Sequence, residues 1–227
     1  LAAKAGLTGN VQLGANTYDK IVNQGTLTAN QSGYTFTTYG TFTNAAGAHL
    51  NVSAGTFTLG NSAAATWSNA GTIAVSGGTL NLGGAIKTDN LGTINQSATG
   101  IVNFVGTLDN TAASNPTTAG TLNLSTVGIT NLVMVGGTLT GGTVTGAPIT
   151  ATSGTLDGIT LDTDLTIGLS DNLHLKNGLT FANNHVLNVG PGAGNGHSLL
   201  YYDNTQTITG SGQIVFGAAS GYTSFLE

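Results

Sequence analysis

Eleven copies of Gly-Thr followed by Leu, Phe, Ile or Val begin at Gly25, Gly40, Gly55, Gly71, Gly78, Gly92, Gly106, Gly120, Gly137, Gly142 and Gly154. A tripeptide recurring this densely marks a repeat architecture, in which one small unit is copied along the chain. Several copies run on into strict alternation, as in Gly78-Thr79-Leu80-Asn81-Leu82, Gly120-Thr121-Leu122-Asn123-Leu124 and Gly71-Thr72-Ile73-Ala74-Val75. Apolar residues at every second place give a strand one buried face. The preceding Gly supplies a positive φ or a tight corner that turns the chain into the strand. The unit is therefore a corner followed by a short strand.

A longer period emerges after about residue 128. Leu139, Ile159, Leu179 and Leu199 are spaced by twenty, and Leu165, Val186 and Ile208 by 21 and 22. These spacings predict a right-handed parallel β-helix, an all-β solenoid with three short strands per coil of about 20 residues. They also predict that Leu139, Ile159, Leu179 and Leu199 form one inward ladder. Before residue 128 the successive spacings are uneven, at 15, 15, 16, 7, 14, 14 and 14, which indicates strands without fixing a coil register. A lone coil of this size buries too little apolar surface to offset the entropy of ordering its backbone, so neighbouring coils must cover its core and its hydrogen-bonding groups. Residues 1–225 read as a single solenoid with no helix longer than two turns. The chain reads as a piece of a longer one, with Leu226 and Glu227 set aside as a cloning scar.

Composition removes the competing fold classes. Only 6% of residues are charged and Arg and Cys are absent, so the charged half of the usual helix-forming set is missing. At 39% hydrophobic, the chain has too much apolar content for disorder. Without cysteine there is no disulfide framework, zinc–thiolate site or cysteine nucleophile. The net charge is −5, and Lys4, Lys20, Lys87 and Lys176 lie far apart. That distribution points away from nucleic acid, whose binding needs clustered cations. No apolar run approaches the ~20 residues of a spanning helix, so this segment is not expected to insert into a membrane. The Thr and Asn at outward positions suit a pleated, half-exposed surface, and Asn is also able to form side-chain ladders between stacked coils.

Asn23-Gln24-Gly25-Thr26-Leu27, Asn69-Ala70-Gly71-Thr72-Ile73 and Asn90-Leu91-Gly92-Thr93-Ile94 resemble the Asn-x-Gly-Thr-Ile repeats of filamentous-haemagglutinin-like proteins and autotransporter passenger adhesins. Thr207-Ile208-Thr209-Gly210-Ser211-Gly212-Gln213-Ile214-Val215 is similar to their strand–turn–strand units. The resemblance covers most of the chain and is one of repeat style. It implies a right-handed parallel β-helix on an exported bacterial surface protein that takes part in attachment.

Candidate site residues are few. Asp157, Asp162, Asp164 and Asp171 crowd one stretch and His174 follows. Alternation turns Ile159, Leu161, Leu165 and Ile167 inward and leaves Asp162 and Asp164 flanking a corner. Paired carboxyls of this kind serve glycoside hydrolysis when about 5–9.5 Å apart, and Asp162-Thr163-Asp164 is also a fragment of a calcium site. Solvated acids at turns are the simpler reading, and as such they would titrate near their ordinary values. His49, His174, His185 and His197 have no metal-ligand spacing, and His49 and His174 fall at outward strand positions. Gly190-Pro191-Gly192-Ala193-Gly194-Asn195-Gly196 fits no phosphate-loop pattern and reads as an excursion between coils, with recognition as its one functional use. Tyr34, Phe36, Tyr39, Phe42, Phe57 and Trp67 cluster early; Tyr34 and Phe36 share a face and favour the core, while Trp67, between Thr66 and Ser68, is the aromatic singled out as a ligand platform.

Three functions fit these features. The first is a non-catalytic stalk or adhesive segment at a bacterial cell surface, with a host or neighbouring-cell receptor, such as a glycan, as partner. The second is a polysaccharide-cleaving or polysaccharide-binding β-helix using the acids of 157–174. The third is ice binding through Thr-x-Thr pairs such as 26–28, 41–43, 56–58 and 143–145, which would have to stack on one face.

Overall fold

The computed structural model describes residues 10–112, 115–190, 196–217 and 224–226. The chain is nearly all strand, its strands pair mainly in parallel, and one short pair at 111–119 is antiparallel. The two helical turns among the described residues are Thr88–Asn90 and Leu124–Val127. The contacts divide the chain into two compact units, Leu1–Thr107 with Ser125–Thr130, and Leu108–Leu124 with Asn131–Glu227. Each is a stack of three-stranded coils, the parallel β-solenoid that the repeats require.

In the first unit one face is the three-stranded sheet Lys20–Asn23, Thr41–Asn44 and Thr66–Asn69. The second face carries 26–29, 49–52, 72–75 and 93–96. The third carries 35–38, 56–59, 79–82 and 101–104. Inward residues stand on inward residues: Leu27, Leu50, Ile73 and Ile94 form one column, and Phe36, Phe57, Leu80 and Val102 another. All eight are buried. The Phe36 and Phe57 rings are stacked at 6.3 Å, and Phe42 tilts against Phe57 at 6.4 Å. The early aromatics are thus mainly core, with Tyr34 half-buried.

Two Asn of the Asn-x-Gly-Thr phrases, Asn23 and Asn69, stand in one column with Asn44, which precedes no such phrase, while Asn90 lies in the helical turn Thr88–Asn90. Asn23, Asn44 and Asn69 stack at the end of the first face with 8%, 0% and 4% exposure. Asn23 Nδ2 donates to Asn44 Oδ1 at 2.8 Å, and Asn44 Nδ2 donates to Asn69 Oδ1 at 2.8 Å. Asn69 Nδ2 ends the run on the carbonyls of Leu91 and Thr93, at 3.0 and 2.9 Å. Three buried amides are satisfied along the stack, which removes the cost that a lone buried amide would carry. The motif glycines divide by cause. Gly92 sits at φ +57°, whereas Gly71 lacks a positive φ and is required because a Cβ there would collide with the Ala48 and Ala45 carbonyls.

In the second unit the faces are again three. Leu132, Ile149, Leu165, Leu187 and Ile214 make one inward column. Leu139, Leu156 and Leu175 make the next. Leu122, Val144, Leu161 and Phe181 make the third. Ile159, Leu161, Leu165 and Ile167 all point inward as alternation requires.

Coil length departs from the expected twenty. In the first unit the step between paired positions is 21 from Asn23 to Asn44 and 25 from Asn44 to Asn69. In the second it is as short as that from Ile149 to Leu165 and as long as that from Leu179 to Ile208. The ladder Leu139–Ile159–Leu179–Leu199 is therefore corrected. Ile159 does stand under Leu179, but Leu139 pairs with Leu156, and Leu199 pairs with Asn172 and lies outside the buried pair Ser198 and Leu200. Val186 likewise sits one place out of phase, because Leu165 pairs with Leu187. Pairing keeps strands in register and leaves the corners between them free to change length, so a sequence period holds for one coil at a time.

Two kinds of substitution separate these causes. A Cβ added at Gly25 would meet no heavy atom within 4 Å, and the residue has no positive φ, so Gly25→Ala is accepted within about 0.5 kcal/mol. Gly71→Ala and Asn44→Leu each destabilise by roughly 2–4 kcal/mol, the second by taking the donor from the buried Asn69 Oδ1 and one of the two acceptors from Asn23 Nδ2. Urea unfolding of the three variants measures the difference.

Candidate functional site

In-register stacking turns each outward position into a column running across coils, so residues a full coil apart in sequence become surface neighbours. In the second unit one column is Thr155, His174 and Tyr201, flanked by the pair Asp157 and Lys176. The His174 and Tyr201 rings stack at 4.6 Å, and His174 Nδ1 donates to Asp203 Oδ1 at 2.6 Å. Lys176 Nζ lies 3.4 Å from Asp157 Oδ2, and Asn177 Nδ2 donates to Asp157 Oδ1 at 2.6 Å.

The next corner holds Asp162 and Asp164. The strand Ile149–Asp162 ends there, Thr163 turns inward to donate to the Ala147 carbonyl at 2.8 Å, and Leu165–Ile167 begins the next face. The two acids consequently flank a corner, as expected. Asp162 accepts from Asn183 Nδ2 at 2.7 Å and from Thr145 Oγ1 at 3.1 Å. Asp164 Oδ1 accepts from His185 Nδ1 at 2.9 Å and from the Val186 amide at 3.0 Å. His185 Nε2 stands 3.5 Å from Asp162 Oδ1 and so bridges both carboxylates. These acids are filled with donors from neighbouring coils, an arrangement that ties coils together and differs from the open oxygen cage calcium uses. No group of three His, Asp or Glu among the described residues is placed to hold a metal ion.

Two of the acids depart from the ordinary titration expected of solvated acids at turns. The Val186 amide and the His185 ring hold the Asp164 carboxyl below its ordinary value, with a smaller opposing effect of burial. Partial burial pushes Asp171 up. Asp171 belongs to neither cluster; its amide approaches the Gly168 carbonyl and its own carbonyl accepts from Leu199.

Trp67 is corrected as a ligand platform. It is 1% exposed, and its indole Nε1 donates to the Gly83 carbonyl at 2.9 Å, so both its apolar body and its polar handle are used inside the first unit. Of the 190–196 excursion, Pro191 to Asn195 lie outside the described residues. His49 and His174 are outward, as their strand positions require.

One recess among the described residues of the second unit is a groove of about 440 Å³ beside the Asp157–Lys176 pair. Its floor is the Thr160–Thr180–Thr209 column, and Thr180 and Thr209 hydroxyls are hydrogen-bonded at 3.0 Å. Its walls are Asn177 with Gly178 and the loop Thr205–Thr207. Neither the His–Asp pairs nor this groove was visible in the local sequence. His174 and Asp203 are 29 residues apart and His185 and Asp164 are 21 apart, distances that mean nothing until coil lengths are known. The available signal was modest: each pair is roughly one coil apart.

Among the described residues no helix is long and apolar enough to cross a membrane. Compared with known proteins, the chain matches no family model, no curated protein and no solved structure.

The shifted acids give a pH test. Asp164 contributes stability that is present above its unfolded value and lost as pH falls through its depressed folded value. Asp171 does the reverse, favouring the fold at low pH and losing that contribution as pH rises through its raised value. Carbon-13 titration of the carboxyls should place the Asp164 midpoint below 3.8 and the Asp171 midpoint above it. Asp171→Asn should melt no lower than the parent at pH 7, whereas Asp164→Asn should melt lower.

Proposed function

We propose that this chain is a non-catalytic stalk and adhesive segment of an exported bacterial surface protein. The observation that carries the reading is the use of the acids. Asp157, Asp162, Asp164 and Asp203 each take hydrogen bonds or ion pairs from Lys176, Asn177, Asn183, His185 or His174 on a neighbouring strand or corner. General acid–base chemistry needs a titratable group free to exchange a proton with substrate and tuned for it; these carboxylates are occupied in fastening one coil to the next. The outward columns beside them are largely Thr and Asn, uncharged groups that give a long surface many hydrogen-bonding points and little net field. The resemblance of the Asn-x-Gly-Thr phrases to adhesin repeats agrees with this reading.

The ice-binding alternative is weaker. The Thr121–Thr143–Thr160–Thr180–Thr209 column is continuous, but the parallel column reads Asn123, Thr145, Asp162, and Asp162 is hydrogen-bonded to Asn183. Among the described residues of that face, the second rank of Thr is broken.

Beads coated with the chain should adhere to bacterial or host cells above an uncoated control, and incubation with acidic and neutral polysaccharides should yield no new reducing ends or unsaturated products. Turnover abolished by Asp162→Asn or Asp164→Asn would overthrow the proposal in favour of the polysaccharide-cleaving enzyme.

A further inference from the structure

The 440 Å³ groove falls within the roughly 300–1,000 Å³ of small-molecule sites, and its construction selects what can enter. Among the described residues no charged side chain lines it. The nearby charges of Asp157 and Lys176 neutralise each other at 3.4 Å, so neither a polyanion nor a polycation gains from the site. Its aliphatic members Ile159 and Leu179 are each 1% exposed, so the apolar surface it offers is mainly that of its Thr side chains, and a lipid or an aliphatic side chain gains little there. The floor strands at Thr160, Thr180 and Thr209 are paired in sequence, so a peptide could add as a strand only beyond Ile208–Gly210 and not across the groove itself. What the groove does offer is hydroxyls and amides: exposed Thr180, Thr205, Thr207 and Thr209, with Asn177 at the rim.

The wall is fixed in advance. Gln206 Oε1 accepts from the Gly178 amide at 2.8 Å and Gln206 Nε2 donates to the Leu175 carbonyl at 2.7 Å. The Leu179 amide donates to the Thr207 carbonyl at 3.2 Å. These hydrogen bonds pin the loop across the corner and hold Thr205 and Thr207 beside the floor, which spares a ligand the entropy of ordering them. The coupled Thr180 and Thr209 hydroxyls, 3.0 Å apart on adjacent coils, belong to a column that repeats at the strand spacing. A row of donor–acceptor groups repeating at that interval suits a ligand that itself repeats hydroxyls along a chain.

We infer that this groove, lined by Thr180, Thr205, Thr207, Thr209 and Asn177, binds a neutral, hydroxyl-rich oligosaccharide. The inference rests on the adhesive reading in that it names the class of partner and where it is held.

The test titrates the chain, followed by amide NMR, with maltohexaose, cellohexaose and chitohexaose, and with hexagalacturonate as the charged probe. At least one neutral hexasaccharide should give saturable shifts concentrated at residues 158–160, 177–180 and 205–209. Thr180→Val with Thr207→Val keeps side-chain shape while removing two hydroxyls, and should weaken that binding about tenfold with the melting temperature unchanged. If that pair fails to fold, Asn177→Gly, which suits the φ of +55° there, carries the same test with a smaller loss. Absence of saturable binding, shifts elsewhere on the molecule, or preference for hexagalacturonate would each overturn the inference. Bead attachment that survives in the Thr180→Val, Thr207→Val chain would overturn this groove as the adhesive contact and leave the adhesive reading standing.

Discussion

Every part of this molecule depends on strands standing in register on the strands of the next coil. A parallel strand leaves its N–H and C=O groups directed at its neighbours, and a coil of three short strands has no interior of its own to compensate. Stacking meets both needs at once: backbone groups find partners, and the inward Leu, Ile and Val of one coil close over those of the last. The Asn23–Asn44–Asn69 run carries the same logic into side chains. Each amide is acceptable in the interior because an identical group lies at the same height in the coil above or below. Such a chain is stabilised by repetition, so its tolerance for change differs sharply between a position inside the register and one outside it.

The sequence discloses the register's direction and conceals its pitch. Alternation in Thr79-Leu80-Asn81-Leu82 identifies strand, face and burial with nothing further required, because the pleat has a fixed period of two. Coil length has no such fixed period. Ile149 reaches its partner Leu165 by a short passage across abrupt corners, while Leu179 reaches Ile208 only after a loop that wanders through 203–207. Leu199 has the right spacing from Leu179 and the wrong phase, since the buried positions beside it are Ser198 and Leu200. A spacing of twenty therefore holds for Ile159 and Leu179 and for few others.

The site chemistry was concealed for the same reason. His185 and Asp164, or His174 and Asp203, look unrelated in one dimension and touch once coils are stacked. Trp67 illustrates the opposite error. Its flanking Thr66 and Ser68 are the outward residues of the strand, so alternation already turned the indole toward the interior, where the Gly83 carbonyl takes its N–H. Polar neighbours in a strand describe the opposite face.

The uneven length of the coils has an evolutionary consequence. Because pairing counts strands and ignores the residues between them, an insertion at a corner is absorbed locally: the strands before and after it keep their partners. The loop pinned by Gln206 behaves as such an insertion, extra chain folded back onto the corner it left. Solenoids of this kind therefore acquire new surface relief the way a text acquires footnotes, at any line and without resetting the lines above or below. Diversity at the corners and constancy in the columns can then be selected independently, and the surface at a corner is free to change while the columns beneath it stay the same.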